Sequence, residues 1–179
     1  RFKREGKVRQ IGVSNIGLEH LKRLQAIEPV ACIQPPYSLL ERGIEKEIIP
    51  YCRAQGIGIV AYSPLQRGLL TGQFSKERIA SLPEDDHRKR DKHFVEPAGS
   101  VNLQLVEGLR ALAARSGRSV SELAIAWVLR EAAVSSAIVG SRRPEQVEQT
   151  AAAAGWVLSA ADILTIESLL AQREPRLAG

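Results

Sequence analysis

Four short runs rich in branched aliphatic residues each end in a polar turn: Val8 to Asn15, Val30 to Gln34, Ile57 to Ser63, and Ala137 to Arg142. Near-continuous apolar runs of this kind read as buried parallel strands, and parallel neighbours need a crossover between them. Helix-forming sequence follows each run. Leu18, Leu21, Leu24 and Ile27 predict an apolar helix face that Pro29 stops, and Ile44, Ile48 and Cys52 predict a second, where Pro50 implies a kink or a late restart and Gly56 an end. Val101, Leu105, Leu109 and Leu112 predict a third helix that closes near Ser116-Gly117. Ser119 and Glu122 then form a capping box ahead of Leu123, Trp127 and Arg130, with Trp127 read as core. Pro144 opens a helix that ends at Gly155, and Ser159 with Asp162 repeats the capping pattern for a terminal helix over residues 159–173.

This alternation predicts an α/β fold in one domain, residues 1–179, and places every polar turn at the carboxyl end of a strand. In α/β folds that edge holds ligands. One stretch breaks the rhythm: residues 63–99 read as a long loop rich in Gly, Pro and charge, of a length that is usually functional or mobile.

Composition removes several function classes. At 44% hydrophobic and 25% charged, the 179 residues suit an ordinary globular domain, and no apolar stretch approaches a membrane span, so the expectation is a cytoplasmic protein with no membrane partner. Cys32 and Cys52, with no Cys/His cluster near them, read as buried reduced thiols and indicate no metal site. A net charge of +5 raises nucleic acid as a partner, but the basic run Arg88 to Lys92 follows Glu84-Asp85-Asp86 and reads as a solvated loop. With aromatics at 4% and none interleaved with that run, no nucleic-acid partner is expected, and the positive charge suits an anionic dinucleotide equally well. The chain has no methionine and starts Arg1-Phe2-Lys3-Arg4-Glu5, like the last turn of a helix, from which the native frame is expected to extend upstream.

The segment Tyr62 to Gly72 is the most specific: a strand-end tyrosine offers a flat face to an aromatic ring, and small residues after it let main-chain N–H groups approach phosphate oxygens. Together with Gly6 to Asn15, Gln34-Pro35-Pro36-Tyr37-Ser38-Leu39-Leu40 and Gly140-Ser141-Arg142-Arg143-Pro144-Glu145-Gln146, it stands in an order and spacing that resembles the aldo-keto reductases over essentially the whole chain. The resemblance implies the second half, strands five to eight, of a TIM (β/α)8 barrel that binds NADPH and reduces aldehydes or ketones by hydride transfer. It implies that Ser14, Asn15 and Gln34 hydrogen-bond the nicotinamide carboxamide, that Tyr62 stacks under its ring, and that Ser63, Pro64, Leu65 and Arg67 run along the pyrophosphate. Gly140, Ser141, Arg142 and Gln146 would surround the adenosine 2′-phosphate, Arg142 being the preferred phosphate ligand and Arg143 its rival. Gln149 and Thr150 fall at the adenine, where the family more often has Glu and Asn; Gln66 and Gln73 likewise replace Gly and Lys in the pyrophosphate loop.

The family's acid–base set, a tyrosine, lysine, aspartate and histidine, belongs to the first four strands, so no catalytic residue is assigned here. Tyr37, Tyr51 and Tyr62 lack the matching context, and His20, His87 and His93 read as surface groups. The expectation is a cofactor-binding, carboxyl-terminal half of the enzyme, inactive alone, whose sheet edges are covered by a missing amino-terminal half or by self-association. The alternative is a non-catalytic NADP-binding or self-associating half-barrel module. The substrate would be a small-molecule carbonyl compound.

Overall fold

A computed structural model describes residues 1–177. Four strands, β1 (Ile11–Ser14), β2 (Val30–Gln34), β3 (Gly58–Tyr62) and β4 (Val134–Ile138), form one parallel sheet in the order β1-β2-β3-β4. Helices α1 (Leu18–Gln25) and α2 (Ile48–Gln55) make the first two crossovers. Between β3 and β4 lie α3 (Lys76–Ala80), α4 (Ala98–Ala114) and α5 (Val120–Leu129); α6 (Pro144–Ala152) and α7 (Ala160–Arg173) follow β4.

Local chemistry accounts for the element ends. Pro50 sits in the first turn of α2, where a missing N–H costs nothing, so the helix restarts late instead of kinking. Gly56 ends α2 in the left-handed region at φ 64°, a conformation glycine enters without a Cβ penalty. Reciprocal capping boxes open α5 (Ser119 with Glu122) and α7 (Ser159 with Asp162). The fourth strand begins at Val134 rather than Ala137, and the apolar run at Val8 lies outside β1, its side chain exposed.

The core lies between the sheet and the helices. Ile33, Ile59 and Ala61 of the central strands are fully buried, as are Leu109 of α4 and Leu123, Ala124 and Trp127 of α5. Tyr37 packs on Trp127 with ring centroids 5.2 Å apart. The segment 63–99 carries its own anchors: Leu69 and Leu70 are fully buried, and Phe74 meets Phe94 edge to face at 5.2 Å. Among the described residues no single helix is long and apolar enough to cross a membrane.

Three expectations are corrected. The chain does not present strands five to eight of a TIM (β/α)8 barrel; it forms an open four-stranded parallel α/β sheet. Barrel closure requires every strand to have two neighbours, with tilt and stagger shared around the ring, whereas β1 pairs only with β2 and β4 only with β3. The outer strands are accordingly not buried on both faces: Gly12 and Ser14 in β1 and Ser135 and Ser136 in β4 are exposed. His93 is buried at 5% exposure instead of lying on the surface, drawn in between the Phe94 anchor and α4. Cys32 is half-buried, because its neighbour on the β1 edge is a glycine, Gly12. Cys52 is buried, and burial pushes its thiol up to about 11.

Candidate functional site

The carboxyl edge of the sheet gathers the polar strand ends. Asn15 and Ser63, one residue past β1 and β3, adopt φ 55° and 54°, so the chain turns sharply away from the sheet at both places. Beyond β2 the pairing continues: Tyr62 donates its N–H to the Pro35 carbonyl at 3.0 Å, and Tyr37 donates to the Tyr62 carbonyl at 3.1 Å. Ser14 Oγ donates to the Gln34 carbonyl at 2.8 Å, and the Tyr62 hydroxyl donates to Asn15 Oδ1 at 2.9 Å. Ser14, Asn15, Gln34 and Tyr62 are thereby joined across three adjacent strands. Since the amide oxygen of Asn15 is taken, its nitrogen remains as a donor.

The turn after Tyr62 is tightly wound. Gln66, Arg67 and Gly68 take φ of 45°, 54° and 95° in succession, which L side chains rarely adopt. Gln66 stands where the family more often has glycine, and its buried amide oxygen accepts a 3.0 Å hydrogen bond from Ser38 Oγ that offsets the backbone cost. Arg67 Nη1 pairs with Asp91 Oδ2 at 2.8 Å.

A cavity of about 970 Å³ opens beside this turn. Tyr62, Ser63, Pro64, Leu65 and Arg67 line it, and so do Gly140, Ser141, Arg142, Gln146, Gln149 and Thr150. Ser14, Asn15 and Gln34 do not line it, and reach it only through the Asn15–Tyr62 hydrogen bond. Gln146 Oε1 accepts from the backbone N–H groups of Arg142 (2.8 Å) and Arg143 (3.2 Å), so this side chain shapes the first turn of α6. Thr150 donates to the Gln146 carbonyl at 2.8 Å.

Arginine dominates the lining: Arg67, Arg78, Arg88, Arg110, Arg118, Arg142 and Arg143, with no aspartate, glutamate, lysine or histidine among the described residues that form it. Carboxylates outside the cavity hold four of these side chains in place: Asp91 for Arg67, Asp86 for Arg88, Glu107 for Arg110 and Glu122 for Arg118. The Arg88 guanidinium and backbone N–H hold the Asp86 carboxyl far below the usual carboxylate range. Arg78 and Arg88 lie over the Phe74 ring at 4.9 and 5.2 Å. Arg78, Arg142 and Arg143 form no ion pair among the described residues; Arg78 instead donates Nη1 to the Gln73 carbonyl at 2.7 Å.

Sequence reading missed Arg78, Arg88, Arg110 and Arg118 as cavity residues. Arg88 belongs to the mixed-sign run Glu84 to Lys92 that read as a solvated loop, and Arg78 to the same long excursion of residues 63–99; the signal against a solvated loop was Phe74 and Phe94, apolar anchors on either side of the basic run.

Set against known proteins, residues 1–171 match the model of the Aldo/keto reductase family. The chain belongs to the aldo/keto reductase family. It is 38% identical over 166 residues to the Aldo-keto reductase YhdN of Bacillus subtilis (strain 168), covering 92% of this chain and 50% of that protein. It is 33% identical over 162 residues to the NADH-specific methylglyoxal reductase of Escherichia coli (strain K12), covering 90% of this chain and 48% of that protein. The solved glycerol dehydrogenase of Gluconobacter oxydans superposes with a TM-score of 0.90 at 36% identity, covering 97% of this chain and 52% of that one. The chain thus spans about half the length of the curated relatives it matches. With the family's model met from residue 1 to residue 171, the expectation of a carboxyl-terminal half is replaced by that of a four-stranded aldo/keto reductase domain. Aldo/keto reductases are oxidoreductases that work with a nicotinamide cofactor.

Proposed function

We propose that this aldo/keto reductase domain binds NADPH in the arginine-lined cavity and serves an NADPH-dependent reduction of aldehydes or ketones. One observation carries the reading: a cavity of about 970 Å³, large enough for an extended dinucleotide, lined by arginines and, among the described residues, by no carboxylate, with a strand-end tyrosine in its lining. Such a field favours a polyanion. Bound there, a nicotinamide supplies hydride to a carbonyl carbon.

The chain's own residues bind and orient. Asn15 offers its free amide nitrogen to the oxygen of a carboxamide, and Ser14 and Gln34 complete that polar rim; Tyr62, fixed by its hydrogen bond to Asn15, presents a ring face for stacking. Ser63, Pro64, Leu65 and Arg67 bound the pyrophosphate path. Gly140, Ser141, Arg142 and the amide nitrogen of Gln146, all at the cavity lining, would hold the 2′-phosphate, and Gln149 and Thr150 would meet the adenine. No residue is assigned the role of proton donor.

The Escherichia coli relative is named NADH-specific. In this chain, Arg142 and Arg143 without carboxylate partners favour the ligand that carries the additional phosphate. Fluorescence titration of the purified chain with NADPH and NADH tests this: tighter binding of NADPH is expected, and equal or absent binding of both would overturn the proposal.

A further inference from the structure

The excursion between β3 and α4 contains a buried carboxylate that the binding reading above does not use. Asp91 is 8% exposed and lies behind the cavity wall, outside its lining. Its Oδ2 engages Arg67 Nη1 at 2.8 Å, while its Oδ1 accepts the His93 N–H at 2.8 Å. The frame extends inward: Asn102 of α4, fully buried, donates Nδ2 to the His93 carbonyl at 2.8 Å, and Arg173 of α7 donates Nε to Asn102 Oδ1 at 2.6 Å. A rigid polar chain thus runs from two core helices to a single cavity arginine.

At the other end of that chain Arg67 is half-exposed and sits at φ 54°, in the middle of the wound turn. Asp91 is its only ionic partner among the described residues, so the remaining guanidinium donors are open to the cavity. An unheld arginine on a turn samples many rotamers and loses that freedom when it binds a ligand. A carboxylate held close to one guanidinium nitrogen restricts where the group can sit and leaves its other donors for a second anion.

We propose that Asp91 is a positioning residue: it pre-orients Arg67 for the anionic, pyrophosphate-bearing part of the ligand, and thereby raises dinucleotide affinity although its own charge repels the ligand. This rests on the binding reading above and adds a residue to it. By proximity alone a carboxylate should weaken an anion site, so the sign of its effect separates orientation from simple electrostatics.

The test is a double-mutant cycle on the full chain, read by NADPH fluorescence with thermal midpoints recorded in parallel. Asp91→Asn keeps an acceptor for the His93 N–H but loses the ionic hold, and is expected to weaken NADPH roughly tenfold. Arg67→Ala is expected to weaken it by a similar factor, and Asp91→Asn added to Arg67→Ala to change nothing further. Asp91→Glu should recover part of the loss, which a fold defect at this buried position would not do. Unchanged or tighter binding by Asp91→Asn, or an equal loss in the Arg67→Ala background, overturns the proposal while leaving the binding reading intact. Should Asp91→Asn fail to fold, Arg67→Lys at this half-exposed side chain takes its place: it keeps the charge without the planar fork, roughly tenfold weaker binding is expected, and unaltered affinity overturns the proposal. A wild-type chain that binds neither NADPH nor NADH overturns both readings together.

Discussion

The Tyr62 hydroxyl donates a 2.9 Å hydrogen bond to Asn15 Oδ1, tying the end of β3 to the end of β1 across the strand between them. The link is possible because Asn15 holds φ 55°, which brings its side chain back over the sheet edge. Asparagine tolerates this region better than most L residues, whereas alanine pays about 1–2 kcal/mol there. Asn15→Ala should therefore be less stable than Asn15→Gly in urea denaturation by about 1 kcal/mol. Both should lose the tether and weaken NADPH binding alike. Equal stabilities for the two variants would mean that the turn is not held in the left-handed region.

Arg142 and Arg143 both line the cavity with no carboxylate partner among the described residues, and the phosphate reading prefers the former. Arg142→Ala should weaken NADPH roughly tenfold and leave NADH unchanged, while Arg143→Ala should reduce NADPH affinity less. The reverse order in paired titrations would transfer the role to Arg143. Gln146→Ala removes the acceptor shared by both backbone N–H groups and is expected to cost about 1 kcal/mol of stability, as a lost helix cap does.

How far the sequence reaches differs from element to element. Val30–Gln34 is the strand that its apolar run marks: β2 lies between two neighbours, and Val30 and Ile33 are buried. The capping boxes at Ser119 and Ser159 are legible because their bonds are local. Val8 misled, since an apolar residue before an edge strand need not be buried. Charge pattern misled at Arg88, whose mixed-sign run read as solvated; Arg78, Arg88, Arg110 and Arg118 come from different elements and meet at one cavity only in the folded chain. His93 was misread for the same reason, because its burial depends on Asn102 and Arg173 far along the chain. Four strands were legible as four apolar runs; the closed barrel was inferred from resemblance, and pairing, which is non-local, leaves the sheet open.

Gly99 opens the second residue position of α4 against the backbone of the preceding segment. A Cβ built there would lie 2.4 Å from the Phe94 carbonyl oxygen, and that oxygen belongs to a backbone that cannot swing aside. Gly99 also donates its N–H to the Val95 carbonyl at 2.8 Å, fixing the approach. Gly99→Ala should cost at least about 2 kcal/mol through overpacking. Gly155→Ala, where nothing lies within 4 Å, should stay within about 0.5 kcal/mol of wild type in the same denaturation series.

His93 makes stability depend on pH with a definite sign. Burial pushes its pKa below the ordinary 6.5, against the nearby Asp91 and Glu41 carboxylates that favour the charged form and with Lys92 and Arg173 that oppose it. Its Nε2 is buried without a hydrogen-bond partner among the described residues, 3.6 Å from Glu41 Oε2. Well above pH 6.5 the imidazole is neutral in both folded and unfolded chains, and contributes no slope. As pH falls below 6.5 the unfolded chain takes up a proton that the folded chain refuses, so stability falls until the folded pKa is passed, by at most about 1.4 kcal/mol per pH unit for one proton. His93→Gln should flatten this part of the profile whatever it does to stability at neutral pH. Denaturation curves between pH 7 and pH 5 with the same slope in variant and wild type would show that another group carries the dependence.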